Sequence, residues 1–272
     1  MSSFPPRLHV LLAASAELGI ILRRGPSKSV CTIEWDRRRD TFSVGQWLRG
    51  RIYERRSDLS PDGKYLIYFA MNGRSHSATG GSWTAISRAP YLKAVVLLGK
   101  GDCWHGGGLF TGRRSYWLND GYGHRSLTES SEVKRDINHR PIGYYGGECP
   151  NVYYQRLQRD GWTLRADASQ RDRDIFERPL PNGWLLRKFA HAQIHPGPGK
   201  SCYWDSHELV HSLSDQRIDG STWEWADLDG RRVVYAEAGC LHELKLSGRG
   251  PLVPKLLADF SGLRFTAIKA PY

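Results

Sequence analysis

The sequence of 272 residues contains no apolar run that approaches the roughly 20 residues required by a membrane-spanning helix. The segment from Arg7 to Ala16 resembles a short signal peptide, but its basic flank is weak and its apolar run is at the lower limit. Cysteine is also scarce: five residues, an odd number at irregular spacing, do not form a disulfide framework. These absences favour a reducing compartment, and we predict a cytoplasmic bacterial protein, with export as the alternative.

Local enzyme motifs are missing as well. The chain has no phosphate-binding loop, no dinucleotide fingerprint and no Gly-x-Ser-x-Gly elbow. We therefore predict no cofactor and no catalytic residue. Enzymes whose catalytic residues come from distant segments leave no such motif, and they stay an alternative.

Aromatic and basic residues, in contrast, are abundant. Ten Trp and 13 Tyr favour strands and exposed aromatic contacts over disorder. The formal net charge of +11 gives a positive surface that attracts acidic partners. The basic clusters are short and fall at predicted turns or strand ends, where charges are solvated, so we predict no specific nucleic-acid binding. These clusters are Arg37 to Arg39, Arg55 with Arg56, and Arg113 with Arg114.

One stretch of the chain carries the fold prediction. Pro61, Asp62 and Gly63 have the chemistry of a tight turn, because Pro presets φ and Gly allows positive φ. Residues 64–70 after the turn are rich in β-formers, and a Trp-bearing segment at 83–91 follows. This stretch resembles the Pro-Asp-Gly class of β-propeller repeat, a relative of the WD repeat. The chain thereby resembles bacterial propeller proteins that carry such repeats. The resemblance implies strand-turn-strand units within β-propeller blades.

Similar β-rich segments recur along the chain. Gly63 is matched by Gly183 and Gly230, each directly before such a segment, and a Trp-Asp pair such as Trp204-Asp205 is expected to end the following strand. One residue in each segment serves as a marker of its position: Ile20, Leu66, Leu109, Leu185 and Val233. Successive markers are 46, 43, 76 and 48 residues apart, and a four-stranded blade needs about 40–50 residues.

We predict an all-β fold, a single five-bladed β-propeller domain over residues 1–272 that is closed by pairing of its N- and C-terminal strands. The segment from Phe265 to Tyr272 echoes the one from Trp83 to Tyr91, so the end of the chain reads as if it continued into the beginning, and closure removes two sheet edges. The 76-residue step predicts an irregular insertion at about 121–150. The predicted blades span about 7–50, 51–91, 92–173, 174–220 and 221–262, and residues 263–272 close the ring.

We predict a non-enzymatic binding or scaffold protein, a monomer, that recognises a protein or glycan of acidic character through loops at one end of the propeller. Aromatic side chains on a rigid frame give large contact area at low entropic cost. A long loop inside a compact domain is usually functional, which places the insertion in the predicted site. The predicted binding residues are Trp104, His105, Tyr122, His124, Tyr144 and Tyr145.

Two enzymatic alternatives stay open. A propeller-type glycan hydrolase needs two carboxylates about 5–10 Å apart, and Glu148, Asp120 and Asp205 are the candidates. The segment from His207 to His211 matches the zinc-peptidase pattern His-Glu-x-x-His, which requires a helix. The repeat places it on a strand, where the two imidazoles are about 13 Å apart, so we predict no metal site.

Weaker motifs have simpler interpretations. The segment from His105 to Gly108 matches an esterase oxyanion loop, but without a nucleophile elbow it is a glycine-rich link. Cys103, His105 and Cys149 offer three zinc ligands at a spacing that fits no compact zinc module.

The remaining cysteines and histidines are expected to be structural or solvated. Cys31, Cys202 and Cys240 recur in predicted third strands, which favours small buried packing residues. His191 and His195 lie by a segment rich in Pro and Gly, so we expect both in a solvent-exposed loop.

Overall fold

The computed structural model describes residues 4–25, 28–121, 123–165, 173–193, 195–197, 200–246 and 252–272. These residues form two compact units. The N-terminal unit comprises Val10–Arg156 and Arg264–Tyr272, and the C-terminal unit comprises Leu157–Leu263 with the chain up to His9. Within the described ranges, no helix has the length and apolar character needed to cross a membrane.

The first sheet is a four-stranded meander in which each strand pairs with the next along the chain. Its inner strands are apolar and β-branched, and Ile20, Ile21 and Ile33 are fully buried. The strands are β1 (Arg7–Leu12), β2 (Leu18–Arg24), β3 (Ser29–Asp36) and β4 (Thr41–Arg49).

The second sheet contains five strands. Four of them form a meander, and the fifth arrives from later in the chain to pair with its last strand. The turn before the second strand is the predicted one: Gly63 has a φ of +76° and its N–H donates to Ser60 O at 2.8 Å. The strands are β5 (Arg51–Leu59), β6 (Tyr65–Met71), β7 (Ser82–Arg88), β8 (Ala94–Gly99) and β11 (Arg125–Thr128).

The third sheet has three short strands and is followed by the single α-helix of the described residues. β10 (Ser115–Leu118) lies in the centre, antiparallel to β9 (Gly108–Phe110) and parallel to β12 (Lys134–Arg135). The helix α1 (Pro150–Arg159) starts with Pro, whose fixed φ suits the first helical position.

The core of the N-terminal unit lies on both faces of β6. Leu66 and Tyr68 belong to a buried cluster with Ile20 of the first sheet. Ile67 belongs to a second cluster with Phe110 of the third sheet. Because neighbouring residues of a strand point to opposite faces, a strand covered on both sides is apolar throughout, as β6 is.

The fourth and fifth sheets belong to the C-terminal unit and run as antiparallel meanders in chain order. Gly183 and Gly230 lie in the turns before the central strands and have φ of +77° and +61°, as the repeat predicted. The fourth sheet contains β13 (Thr163–Arg165), β14 (Arg173–Pro179), β15 (Trp184–Ala192), β16 (Tyr203–His211) and β17 (Arg217–Gly220). The fifth contains β18 (Trp225–Asp229), β19 (Arg232–Glu237), β20 (Cys240–Lys245) and β21 (Lys255–Asp259).

The all-β prediction is confirmed, but the predicted limits of blades two and three are wrong. β8, assigned to blade three, pairs with β7 from Trp83 opposite Gly99 to Ser87 opposite Ala94. A short turn joins these strands, so they form a hairpin. The insertion at 121–150 is not irregular throughout, because β11 and β12 lie within it and Val133 is buried in the core.

The predicted strand pairing between the two ends is absent from the described residues. Residues 264–272 form no strand, and β1 pairs with β2 alone. Residues 264–272 contact the rest of the N-terminal unit through individual hydrogen bonds. Gln46 Nε2 donates to Ile268 O at 2.7 Å, and the Tyr272 hydroxyl donates to Lys93 O at 2.6 Å. Side-chain contacts therefore take the place of the expected ladder.

The predicted end of one strand also needs correction. Trp204 and Asp205 lie at the start of β16, because β15 and β16 are nine residues long and their connecting loop precedes Tyr203. Cys202 falls just before the strand and is exposed, whereas Cys31 is buried in β3 as predicted. Cys240 begins β20 and is partly buried.

Candidate functional site

Arg56, which the sequence placed among solvated charges, lies inside the N-terminal unit. A β-bulge in β5 places it there. Tyr53 pairs with Phe69 of β6 and Asp58 pairs with Ile67, so five residue steps along β5 lie opposite only two along β6. Such a bulge removes residues from the ladder and redirects their side chains. Arg56 is 4% exposed as a result.

The guanidinium of Arg56 joins two segments that are distant in sequence. Nη1 donates to Cys103 O at 2.8 Å and to His105 O at 2.5 Å. On the other side, Nε donates to Cys149 Sγ at 3.3 Å and Nη2 forms an ion pair with Glu148 at 3.6 Å. The cation therefore holds the loop before β9 and the segment before α1 from the inside.

Aromatic rings and a second arginine complete this pocket. The Arg56 guanidinium lies 4.8 Å from the ring centre of Tyr53 and 5.0 Å from that of Phe69, which are distances of cation–π contact. Arg156 of α1 donates to the main-chain carbonyls of Glu54 and Ser57, which the bulge takes out of the ladder. Two main-chain carbonyls of the bulge are thus satisfied by a side chain.

The glycines that follow His105 serve close packing. Gly106 and Gly107 have φ of +82° and +73°, and a Cβ would lie 2.4 Å from the Phe69 ring in the first case and 1.9 Å from Arg56 O in the second. Their N–H groups donate to Asn119 O at 2.8 Å and to Thr84 Oγ1 at 2.9 Å. Because both N–H groups are used internally, the loop is not an oxyanion hole.

His124 lies in a buried hydrogen-bond chain. Its Nδ1 is 2.8 Å from Asp120 Oδ1, its Nε2 is 3.0 Å from Thr84 Oγ1, and Asp120 also forms an ion pair with Arg135 at 2.9 Å. Hydroxyl, imidazole and carboxylate in this order match a nucleophile with its base. Thr84, however, is fully buried within β7 and accepts the Gly107 N–H, so no substrate reaches it.

The ionisation of this chain follows from burial and pairing. Burial lowers the pKa of His124 below its ordinary value, and it outweighs the opposing effect of Asp120. Burial also opposes ionisation of Asp120, but hydrogen bonds from His124 and Arg135 outweigh it and lower the pKa of Asp120. The pair is therefore a neutral imidazole that donates to a carboxylate.

The predicted binding residues do not share one environment. Trp104 is 56% exposed and Tyr144 is 79% exposed. His105 is partly buried with its ring against Gly121, and Tyr145 is partly buried with its ring centre 5.3 Å from that of Tyr154.

Arg56 contacts both segments that carry the exposed aromatics: Cys103 and His105 flank Trp104, and Glu148 lies four residues after Tyr144. His124 lies in the interior instead, and Tyr122 lies outside the described residues. Sequence reasoning missed Arg56, whose one signal was the unusual run Glu54-Arg55-Arg56 within a β-rich segment.

Of the carboxylates proposed for glycan hydrolysis, two are ion-paired and the third is buried. Glu148 is paired with Arg56, and Asp120 with His124 and Arg135. Asp205 lies in β16 of the C-terminal unit and is 6% exposed.

The zinc-peptidase motif lies on β16, as the repeat predicted, so the required helix is absent. His207 is buried, with Nε2 2.9 Å from Lys188 Nζ and Nδ1 3.0 Å from Trp223 O, while His211 Nε2 is 3.0 Å from Asn182 O. An ammonium group therefore already occupies the position that a metal would take at His207.

Two further metal interpretations are also unsupported by the contacts. Burial raises the pKa of the Cys149 thiol despite Arg56, whose guanidinium lies between Cys149 and the loop of Cys103 and His105. His191, expected in solvent, is buried and stacks on Trp204 at 3.6 Å, whereas His195 is exposed as expected. Among the residues with described positions, no group of three or more potential ligands is arranged to hold a metal.

Comparisons with known proteins add little to this geometry. No protein-family model and no curated protein matches the chain. Among solved structures, the chain is similar to one described as the complex of the GH93 α-L-arabinofuranosidase of Fusarium graminearum with arabinobiose, at 12% identity. The TM-score is 0.19, which is too low to indicate a shared fold. The match covers 93% of this chain and 64% of that one.

Proposed function

We propose that this chain is a non-enzymatic binding protein that holds a protein or glycan through loops of its N-terminal unit. The proposed site comprises the exposed aromatics Trp104 and Tyr144, with His105 and Tyr145 beside them in sequence. The observation that carries the proposal is the Arg56 pocket, which braces from the inside both segments that lead to these aromatics. A braced loop loses less entropy on binding than a free one.

Binding is favoured over catalysis because the chemically active groups of this region are used internally. The Thr84 hydroxyl is buried, the Gly106 and Gly107 N–H groups are hydrogen-bonded, and Glu148 is ion-paired. The exposed groups are aromatic, and large rings on fixed supports are typical contact residues.

We also propose that the five sheets are the blades of one propeller in a single domain. The supporting observation is that three sheets contain four-stranded meanders at the positions along the chain predicted for blades one, four and five. These meanders are β1 to β4, β14 to β17 and β18 to β21. An experimental structure of the full chain tests this, since any other arrangement of the sheets contradicts it.

The test of the proposed function uses two probes on the purified full chain, a glycan array and a random-peptide display library. We expect one of the probe classes to bind, and the Trp104→Ala, Tyr144→Ala double variant to lose that binding. Phe265→Ala is the matched control, because Phe265 is also an exposed aromatic of this unit, at 42% exposure. Binding to neither probe, or equal loss in the control, contradicts the proposal.

A further inference from the structure

Large apolar side chains are concentrated in one short segment of the N-terminal unit. Ile137, Ile142 and Tyr144 are 73%, 70% and 79% exposed and fall within eight consecutive positions. Single exposed apolar residues are ordinary on a protein surface, whereas three large ones within one short segment offer apolar area for an interaction. We name residues 134–144 the basic-apolar loop.

The net charge of this loop is positive, because three cationic side chains stand against Asp136 alone. Lys134, Arg135 and Arg140 are exposed, and no Asp or Glu occurs from Ile137 to Gly147. The side chain of Asp136 is turned to the loop itself, where Oδ1 accepts from the N–H groups of two following residues at 3.0 and 3.1 Å.

The neighbouring carboxylates do not neutralise the whole loop. Asp120 pairs with Arg135, whereas no ion pair to Lys134 or Arg140 is formed within the described part of the chain. Two cations of the loop are therefore available to the carboxylates of a partner.

The loop is braced at both ends and across its middle. Lys134 and Arg135 pair with β10, and at the other end the Tyr145 N–H donates to Asn151 Oδ1 at 2.9 Å. In the middle, Arg140 Nη1 donates to Ile137 O at 2.8 Å and to His139 O at 3.2 Å. A surface whose cations and apolar groups are held in place suits a partner of matching, defined shape.

We propose that the basic-apolar loop is the contact surface for an acidic polypeptide segment that also carries apolar side chains. This rests on the proposed function, since it names the partner class of the same site. Isoleucine side chains offer no hydrogen bonds to sugar hydroxyls, but they bury well against leucine, isoleucine or aromatic residues, about 25 cal/mol per Å² of apolar area. The exposed cations select carboxylates beside those apolar residues, and electrostatic attraction speeds their encounter.

The test is selection of a random-peptide display library on the immobilised full chain, followed by fluorescence anisotropy with a synthetic copy of the most enriched peptide. We expect enriched peptides to combine Asp or Glu with Leu, Ile, Phe or Trp, and their affinity to fall as salt is raised. Ile137→Ser with Ile142→Ser, and separately Lys134→Glu with Arg140→Glu, should each weaken binding at least about tenfold.

Matched controls keep the test specific. Leu213→Ser removes another apolar side chain, 87% exposed, and Arg38→Glu reverses another exposed arginine of the N-terminal unit. Both controls should bind within about twofold of the wild type, because surface changes away from a contact are nearly neutral.

Other outcomes separate the inference from the proposed function. Enriched peptides that are basic or lack apolar residues overturn the inference, as does equal weakening by the controls. Binding to a glycan array that depends on Trp104, without peptide enrichment, overturns the inference and leaves the proposed function standing. Phosphatidylserine vesicles serve as a third probe of the full chain, and binding to these vesicles alone overturns both.

Discussion

Two arginines of the N-terminal unit brace loops in the same way but in opposite surroundings. Arg56 donates to Cys103 O and His105 O from the interior, and Arg140 donates to Ile137 O and His139 O from the surface. The interior guanidinium is enclosed by aromatic rings and an ion pair, whereas the surface guanidinium has donors left for a partner. The difference teaches that an enclosed guanidinium serves the fold, whereas an exposed one keeps donors for the partner that we propose.

The largest expected effect comes from removing the interior cation. Arg56→Met should lower the free energy of unfolding by about 3–5 kcal/mol, because Glu148 and two partly buried carbonyls lose their partner. Denaturant unfolding of the full chain measures this. Arg38→Met, at an exposed arginine, should change it by less than about 0.5 kcal/mol. Similar small losses in both variants would break the distinction between interior and surface arginines.

The C-terminal unit offers a second buried cation for comparison. Lys188 is 1% exposed, with Nζ 2.9 Å from His207 Nε2 and 4.7 Å from the ring centre of Trp162. We expect His207→Ala to cost about 3 kcal/mol of unfolding free energy, because the buried Lys188 Nζ loses a hydrogen-bond partner. His195→Ala, at an exposed histidine, is the control.

Metal analysis of the same preparations sharpens this result. Wild type purified without chelator should contain less than one zinc per chain, and His207→Ala should contain no less than the wild type. One zinc per wild-type chain that is lost in His207→Ala would restore the peptidase interpretation.

An intermediate effect is expected from pH. The folded pKa of His124 is lowered from 6.5, chiefly by burial, with Lys100 and Arg135 acting in the same direction and Asp120 opposing them. The unfolded state then binds more protons below pH 6.5, so this contribution to stability is complete above that pH and is lost as pH falls towards the folded pKa. Asp120, with its pKa lowered from 3.8, loses its contribution only at still lower pH.

Unfolding free energies measured across this range test the assignment. His124→Gln should reduce the fall in stability that begins just below pH 6.5, whereas His195→Gln should leave it unchanged. An identical pH profile in wild type and His124→Gln would contradict the assignment.

The smallest effect on stability is expected in the basic-apolar loop. Ile137→Ser with Ile142→Ser should shift the free energy of unfolding by less than about 0.5 kcal/mol, because both side chains are exposed. Thermal melting of this double variant beside Leu213→Ser checks the expectation. A large loss of stability would mean that the two isoleucines pack within the fold.

Local signals explain how much of the fold the sequence could predict. Gly63, Gly183 and Gly230 mark turns by their own chemistry, so the strands that follow them were placed correctly. Strand partners depend on the rest of the fold: β8 was assigned to the wrong blade, and β11 was not predicted within the insertion, because no local pattern states which strand an edge will pair with. The helix was also missed, although Pro150 at its first position and the glycine-free run after it were readable signals.

Only the exposed part of the candidate site has local signals in the sequence. Trp104 and Tyr144 stood out because aromatic residues in glycine-rich loops have few structural reasons to be there. Arg56 was misread because a run of arginines is normally solvated, and the bulge that buries it depends on pairing with β6. His124 was misread for the related reason that its partners Asp120, Thr84 and Arg135 come from separate segments.

Residue-resolved amide hydrogen exchange in wild type and Arg56→Lys tests the central claim most directly. Lys keeps the charge but cannot reproduce the planar set of guanidinium donors that reaches Cys103 O, His105 O and Cys149 together. The Gly106 and Gly107 amides, which are hydrogen-bonded in this structure, should exchange at least about tenfold faster in Arg56→Lys, while amides of β20 should be unchanged. Unchanged exchange at both glycines, or equal acceleration throughout the chain, would contradict the claim that Arg56 holds this loop.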